Sequence, residues 1–390
     1  MKKIRVAVVG VGNCASSLIQ GVRYYETWPS ENGITRSLIG SYQPTDIEFV
    51  AAFDVDRRKV GQDLYDAIYA KPNCAMNIMP RDQMGMSDCL VSKGPVLDGV
   101  ADHMRAENEL DAERFYVDDK LDPVDVAQVL VDSRVDILIN YLPVGSQQAT
   151  EYYASACIDA GVAFMNCIPV FIASDPEWER RFVEAGLPLI GDDMKSQFGA
   201  SIVSQMLQEL AFERGHKVKC HIQENVGGNT DFFNMTDKDR LASKKISKEN
   251  VIRSQNEIRN IDASDSFLYA GPSNYIRHYG DNKVATFRVE LEGFGGAPVT
   301  LDARLSVQDS PNSAGIVIDG IRYLRVAQEM GVVGALRGPS AFTQKTPPKQ
   351  MTLKDSVFEC DKLADRELTN ITRKQSVLSQ GTQLLTLNNK

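Results

Sequence analysis

The chain is poor in the residues that build metal and disulfide scaffolds. Its 390 residues include 4 histidines and 7 cysteines. His103, His216, His221 and His278 form no H-x-x-x-H or similar pattern, so a structural zinc site is not expected. Cys14, Cys74, Cys89, Cys157, Cys167, Cys220 and Cys360 are scattered, odd in number and free of any C-x-x-C pair. Such a set reads as reduced thiols of a cytoplasmic protein. A hard cation, divalent or monovalent, held by oxygen ligands and a substrate phosphate would leave no such mark and stays open. Long apolar runs are missing as well. Nothing approaches the roughly 18 residues of a membrane-spanning helix, and the apolar stretch after Lys3 is too short for a signal peptide. Positive charge is not in excess: 43 Lys and Arg against 52 Asp and Glu leave a net charge of -9. Nothing therefore balances a phosphate backbone over a broad surface, and neither nucleic acid nor membrane is an expected partner.

What is present is ordinary for a globular chain long enough for two or more domains: 43% hydrophobic and 24% charged residues. Ile4 to Val9 alternates as a strand and runs into Gly10-Val-Gly12-Asn-Cys-Ala15, a G-x-G-x-x-A turn opening a helix through Leu18 and Val22. Gly10 suits the tight turn, Gly12 lets backbone N–H groups reach a pyrophosphate, and Ala15 keeps helix and strand close. A polar insertion, about 24–46, delays the second strand, Glu48 to Phe53, which ends at Asp54-Val-Asp56. An acidic side chain there binds the adenosine ribose hydroxyls and repels a 2′-phosphate, favouring NAD over NADP. Asp54 is the first candidate, and Asp56 alternatively caps a following helix.

Residues 70–115 read as an elaboration around the nucleotide site, with no chemistry assigned. A short helix is expected over Pro123–Val131 after the cap Asp122, then a strand over Val135–Asn140. Tyr141-Leu142-Pro143-Val-Gly145-Ser146 follows, with Ser146 as N-cap of a helix to Ala160. Strand, helix and strand succeed one another at Val162–Cys167, Pro176–Ala185 and Leu187–Gly191. Asp193, Lys195 and Ser196 then precede a helix over Ala200–Arg214. This alternation predicts an α/β fold, a doubly wound Rossmann-type parallel sheet with ligands at the carboxyl ends of its strands.

From Val218 the pattern changes to strands and polar loops, Cys220–Glu224, Val284–Gly293 and Thr300–Val307, an inserted, mainly antiparallel α+β domain. Between them lie Asn225-Val-Gly-Gly-Asn229-Thr-Asp231 and Ser243-Lys-Lys-Ile-Ser-Lys248. In a helix Lys244 and Lys248 share a face; the plain alternative for that pair is a solvated helix. Lys283 begins a strand, and Lys345 sits in a loop that Pro347 and Pro348 hold out of helix. A helix over Ala314–Met330 returns to the first domain. The expected division is 1–200 for nucleotide binding, 201–308 for catalysis and oligomerisation, 309–349 for the return, and 350–390 as a polar, poorly ordered tail.

Together the motifs VGVGNCASSL, AAFDVD, YLPVGS, PVFIASDP, GDDMKSQ, NVGGNTDF, SKKISK, DSPNSAG and Lys345-x-Pro-Pro348 resemble the myo-inositol-1-phosphate synthase family, in its shorter bacterial and archaeal branch. The resemblance spans about residues 4–350 and implies NAD-dependent conversion of glucose 6-phosphate to 1L-myo-inositol 1-phosphate, the first step of inositol and phosphatidylinositol biosynthesis. In that reaction NAD+ oxidises C5, the sugar enolises by losing a C6 proton, C6 closes on the C1 aldehyde, and the hydride returns. The resemblance assigns catalysis to Lys244, Lys248, Lys283, Lys345, Asp231 and Asp309. It adds Ser196, Asn225 and Asn229 as binders of phosphate or hydroxyls. Its cofactor contacts are Gly10, Gly12, Asn13, Cys14, Ala15, Asp54, Leu142, Pro143, Gly145, Ser146, Asp193 and Ser196. Lys244 and Lys345 are expected near C5, Lys283 at the C1 oxygen and Lys248 at the phosphate, in a homotetramer joined through the middle sheet. Two other readings remain: an NAD-dependent dehydrogenase of another sugar phosphate or acid with net redox, and a non-catalytic dinucleotide-binding sensor or scaffold.

Overall fold

The computed structural model describes residues 3–262 and 264–366, without the side chains of 241–243 and 245. The chain begins with β1 (Ile4–Val9), α1 (Asn13–Thr27) and, after the insertion, β2 (Ile47–Asp54). Short elements α2 (Leu64–Ala67), α3 (Arg81–Met84) and β3 (Val91–Lys93) follow. Then come α4 (Val126–Asp132), β4 (Ile137–Asn140), α5 (Gln147–Ala160), β5 (Ala163–Asn166), α6 (Pro176–Ala185), β6 (Pro188–Ile190) and α7 (Ala200–Glu213). A second unit holds β7 (Lys217–Gly227), α8 (Thr230–Asn234), α9 (Lys238–Ile258), β8 (Phe267–Tyr275), β9 (Asn282–Glu292) and β10 (Pro298–Gln308). The chain closes with α10 (Asp309–Glu329), β11 (Gly334–Ala335), α11 (Arg337–Thr343) and α12 (Leu353–Ala364).

The first sheet is parallel throughout, in the order β11-β6-β5-β4-β1-β2-β3. Alternation along β1 explains its two covered faces. Val6 and Val8 pack with Leu18 and Ile19 of α1 and Val317, Ile321 and Leu324 of α10. Ala7 and Val9 face the other way, toward Leu130 of α4, Tyr153 of α5 and Phe182 of α6. Each fully buried aliphatic side chain contributes about 1.5–3 kcal/mol, so burial on both faces rather than helix propensity holds these layers. The order of the strands reverses between β1 and β4, which opens a crevice at their carboxyl ends.

The second sheet runs β10-β9-β7-β8. β9 is antiparallel to both β7 and β10, whereas β8 lies parallel to β7. Helices α7 and α9 pack on each other, α7 against β7 and β9 and α9 against β8. Opposite Val307, Lys283 is brought to the end of β10, where Asp309 starts α10. No helix among the described residues is long and apolar enough to cross a membrane.

Several local expectations need correction. Asp125, not Asp122, caps α4, accepting from the Gln128 backbone N–H at 3.1 Å. Helix α10 starts at Asp309 rather than Ala314, because Pro311 falls in its first turn, where a missing N–H costs nothing. The tail beyond residue 350 is not uniformly without structure. Thr352 caps α12, and Cys360, Leu363 and Ala364 are buried in the core beside α10 and α11. The remainder of that stretch, 367–390, lies outside the described residues.

Candidate active site

At the crevice between β1 and β4 the two units enclose about 1580 Å³ of free space, open mouth included. Gly10, Gly12, Asn13, Cys14, Asp54, Leu142 and Pro143 line one end; Ser196, Asn225, Asn229, Asp231, Lys244, Lys248, Lys283, Asp309 and Lys345 line the other.

The nucleotide end is built on the first turn of α1. Gly10 has φ 84°, and a Cβ there would stand 2.5 Å from Tyr141 O. Gly12 differs: a Cβ on it meets nothing within 4 Å, so the space above it is open. As N-cap it brings no side chain to the unpaired N–H groups of that turn, leaving an anion-binding end. Asn13 Oδ1 accepts from the backbone of Cys74 and Ala75, which ties the 70–80 loop to this turn. Burial, then Asp309, Asp281 and Asp231, push the Cys14 thiol up to about 12, so it stands there neutral.

Asp54 and Asp56 are told apart by their surroundings. Asp54 lines the cavity and accepts from the backbone N–H groups of Val11, Val55 and Asp56 at 2.7–2.8 Å. Asp56 is fully buried against Arg58, holding the Tyr116 backbone, and caps no helix.

Some expected cofactor residues stand elsewhere. Ala15 is buried in the core, packing helix on strand. Gly145 is covered by Arg240, whose Cδ would lie 2.4 Å from a Cβ at that position. The Ser146 hydroxyl donates to Pro143 O at 2.6 Å instead of capping α5 or facing the cavity. Asp193 is fully buried beneath the lysines.

The four lysines do converge, from α9, the start of β9 and the loop after α11. Lys244 Nζ contacts Asp193 Oδ1 at 3.0 Å, with Asp231 Oδ2 at 4.0 Å. Lys345 Nζ contacts the same Asp193 oxygen at 2.9 Å and donates to Met194 O at 2.6 Å. Lys283 is paired with Asp309. Among the described residues no carboxylate lies within 4.0 Å of the Lys248 ammonium. Their charges are set accordingly. Burial and the neighbouring Lys244, Lys283 and Lys345 push Lys248 well below the usual lysine range. Burial pushes Lys345 down to about 8, Lys244 and Lys283 adding to the effect and Asp193 resisting it. At Lys244 burial is outweighed by Asp193, Asp231 and Asp309, so its ammonium is stabilised. Asp193 and Asp309 are held below the usual carboxylate range, lysine charge overriding burial.

Several functional side chains escaped the sequence reading. Pro95, Val96, Val100 and Phe115, from the stretch left without chemistry, form an apolar wall at the Asp54 end. Their apolar character among turn residues was the available signal. Lys59 also lines the cavity, donating to Val11 O and Asn73 Oδ1. Arg240 bridges the two units, donating to Val144 O and Asp98 O. Asp281 accepts from Asn229 and Ser310, fixing the polar loop to α10; burial and Asp309 raise it to about 6. Lys195 does not reach the cavity; buried, it donates to Ala341 O. Among the described residues no group of three or more His, Cys, Asp and Glu is placed to hold a metal ion.

Comparison with known proteins agrees with this geometry. Residues 199–310 match the family model described as myo-inositol-1-phosphate synthase. An inositol-3-phosphate synthase of Corynebacterium glutamicum is 47% identical over 353 residues, covering 89% of this chain and 94% of that one. One from Mycobacterium tuberculosis is 45% identical over 353 residues, covering 90% and 92%. A solved structure described as Ari2 superposes with a TM-score of 0.73 at 33% identity, covering 94% of this chain and 99% of its own. With identity this high along nearly the whole length of its relatives, the chain belongs to the myo-inositol-1-phosphate synthase family.

Proposed function

We propose that this protein is a cytoplasmic inositol-3-phosphate synthase that cyclises D-glucose 6-phosphate to 1L-myo-inositol 1-phosphate with NAD as a retained cofactor. One observation carries the reading. Three of the cavity lysines meet Asp193 or Asp309, while Lys248, buried with them, meets no carboxylate among the described residues, so the site is completed by an anion. A sugar phosphate supplies it. Ser196 and Ser201 line the cavity beside the N-terminus of α7, a further reason to seat the phosphate there with Lys248.

The open space above Gly12, the unpaired first turn of α1, Asp54 and the apolar wall of Val96, Val100 and Phe115 suit a dinucleotide. Held there by Gly12, Asp54 and the apolar wall, NAD would supply the acceptor for the C5 hydride and its return after ring closure. The protein's own groups manage the protons at the C5 and C1 oxygens. Lys345, the lysine brought nearest neutrality, takes the C5 hydroxyl proton, with Lys244 charged beside it on the shared Asp193. Lys283, paired with Asp309, donates to the oxygen developing on C1. Asn225, Asn229 and Asp231 hold the hydroxyls. The assembly is a homotetramer joined through the second sheet, whose strand β10 is exposed from residue 298 to 304 and presents Val299 and Leu301.

Incubation with glucose 6-phosphate and catalytic NAD+ tests this, with inositol phosphate and NADH both followed. Cyclised product without net NADH is expected. Stoichiometric NADH without inositol phosphate would replace the synthase by an ordinary dehydrogenase, and light scattering in solution checks the tetramer.

A further inference from the structure

We infer that Gln223, on β7, is a further substrate-contacting residue, whose side-chain N–H is aimed into the cavity by a single file of buried hydrogen bonds anchored at Gly271 O. The inference rests on the proposed sugar-phosphate reading and adds a contact to it.

The direction of every bond in the file follows from its end. A backbone carbonyl only accepts, so at Gly271 O the Asn225 side chain must present Nδ2, which lies at 2.8 Å. Asn225 Oδ1 is thereby turned to Gln223 and takes a hydrogen from Nε2 at 3.2 Å. Gln223 Oε1 then faces Ser204 and accepts its hydroxyl at 2.8 Å. With that hydrogen spent, the Ser204 oxygen accepts from His221 Nε2 at 3.0 Å. His221 therefore carries its proton on Nε2, and Nδ1 accepts from Gln208 Nε2 at 3.1 Å. Burial pushes His221 down to about 4, so the ring stays neutral and the direction holds at ordinary pH.

These side chains are all nearly inaccessible: Ser204 0%, Gln208 2%, His221 1%, Gln223 1% and Asn225 1%. Burying so many polar groups costs free energy that apolar packing would avoid, and Gln208 Oε1 at the far end has no hydrogen-bond partner among the described residues; a file fixed in one direction gains rigidity and a defined orientation in return. The file opens to ligand at only one end. Gln223 and Asn225 line the cavity, whereas Ser204, His221 and Gln208 do not. Gln223 cannot rotate its amide without setting oxygen against oxygen at Asn225 and nitrogen against the Ser204 hydroxyl hydrogen. Its second Nε2 hydrogen is therefore a fixed donor beside Asn225, facing the sugar end, and it reads an acceptor oxygen on the substrate.

Gln223→Met keeps the length of the side chain and removes both polar atoms. In the NAD-loaded full chain it should raise KM for glucose 6-phosphate about tenfold, with kcat and NAD+ affinity near those of the parent. Monodeoxy glucose 6-phosphates, measured as competing ligands, then name the oxygen. For one of them the parent should lose about tenfold in affinity and Gln223→Met nothing further, a coupling that mere packing would not produce. Unchanged KM in a folded variant, or equal losses in parent and variant for every deoxy analogue, would overturn the inference and leave the synthase reading standing. A parent that binds no glucose 6-phosphate would remove both. Should the methionine variant not fold, Gln223→Asn keeps an amide and loses reach, and the same loss is expected of it.

Discussion

Lys244 and Lys345 share one carboxylate oxygen: their ammonium groups stand 3.0 and 2.9 Å from Oδ1 of Asp193. The two lysines come from elements a hundred residues apart in the chain, and one buried anion sets the charge of both. Its field acts unequally, because Asp231 and Asp309 also support Lys244 while Lys345 lies deeper in the lysine cluster.

This relationship has a pH signature. In the proposed reaction Lys345 would act as base only when neutral, and burial has brought it down to about 8. The kcat/KM profile should therefore rise with pH through about 8 and level off above it. Asp193 favours the charged ammonium, so Asp193→Asn should move this limb toward acid while lowering the plateau by roughly a hundredfold or more. A limb that stays in place in the variant would remove Lys345 as the base.

Phosphate binding should take up a proton. Lys248 is held well below the usual range by burial and three other lysines, and a phosphate dianion reverses that field. Titration calorimetry at pH 8 in buffers of different ionisation enthalpy measures the uptake directly. Lys248→Ala should reduce it, leaving the share taken up by Lys345, which titrates near 8, and should raise KM by roughly 10- to 100-fold, the loss of one charge-assisted hydrogen bond. Uptake unchanged in the variant would place the phosphate elsewhere.

Two neighbouring glycines should fail differently. Gly10→Ala must force a Cβ to within 2.5 Å of Tyr141 O at a positive φ, so both folding and NAD+ binding are expected to suffer. Gly12→Ala adds a Cβ that meets no protein atom within 4 Å, so its melting temperature should hold while NAD+ affinity falls about tenfold or more. Equal losses of stability in the two variants would mean that the space above Gly12 is not where the pyrophosphate lies.

Helix α12 should behave as core. Leu363 is 1% exposed among residues of α10 and α11, and Leu363→Ala is expected to cost about 2–5 kcal/mol by denaturant unfolding. A solvated tail residue would change stability by about 0.5 kcal/mol or less.

The expectation that failed here shows where sequence periodicity runs out. Beyond Pro348 the chain is rich in Lys, Asp, Thr and Gln, and its apolar residues do not announce a partner. Phe358 remains exposed, whereas Cys360, Leu363 and Ala364 find a surface made by α10 and α11. Local composition could not reveal that surface. Five strands of the parallel sheet, β1, β2, β4, β5 and β6, were legible by contrast, whereas the short edge strands β3 and β11 were not. Its runs alternate with amphipathic helices, and the glycine turn after β1 has a local physical cause in backbone conformation. Lys244 and Lys248 on one helix face were equally readable, since helix geometry alone fixes their spacing.

What the sequence by itself determined is therefore what short-range geometry governs: strand and helix periods, the turn at Gly10, and which residue types were available for chemistry. Tertiary structure alone decided which of those residues meet. Asp193 became the counter-charge of two lysines rather than a cofactor contact, because β6 and the loop after α11 bring it beneath them. Gly145 and Ser146 were turned away from the cavity by Arg240 and Pro143. Gln223 acquired a fixed donor direction from a carbonyl on the neighbouring strand. Electrostatic and hydrogen-bond energies depend on distance and burial, and neither is written in the order of residues until the chain has folded.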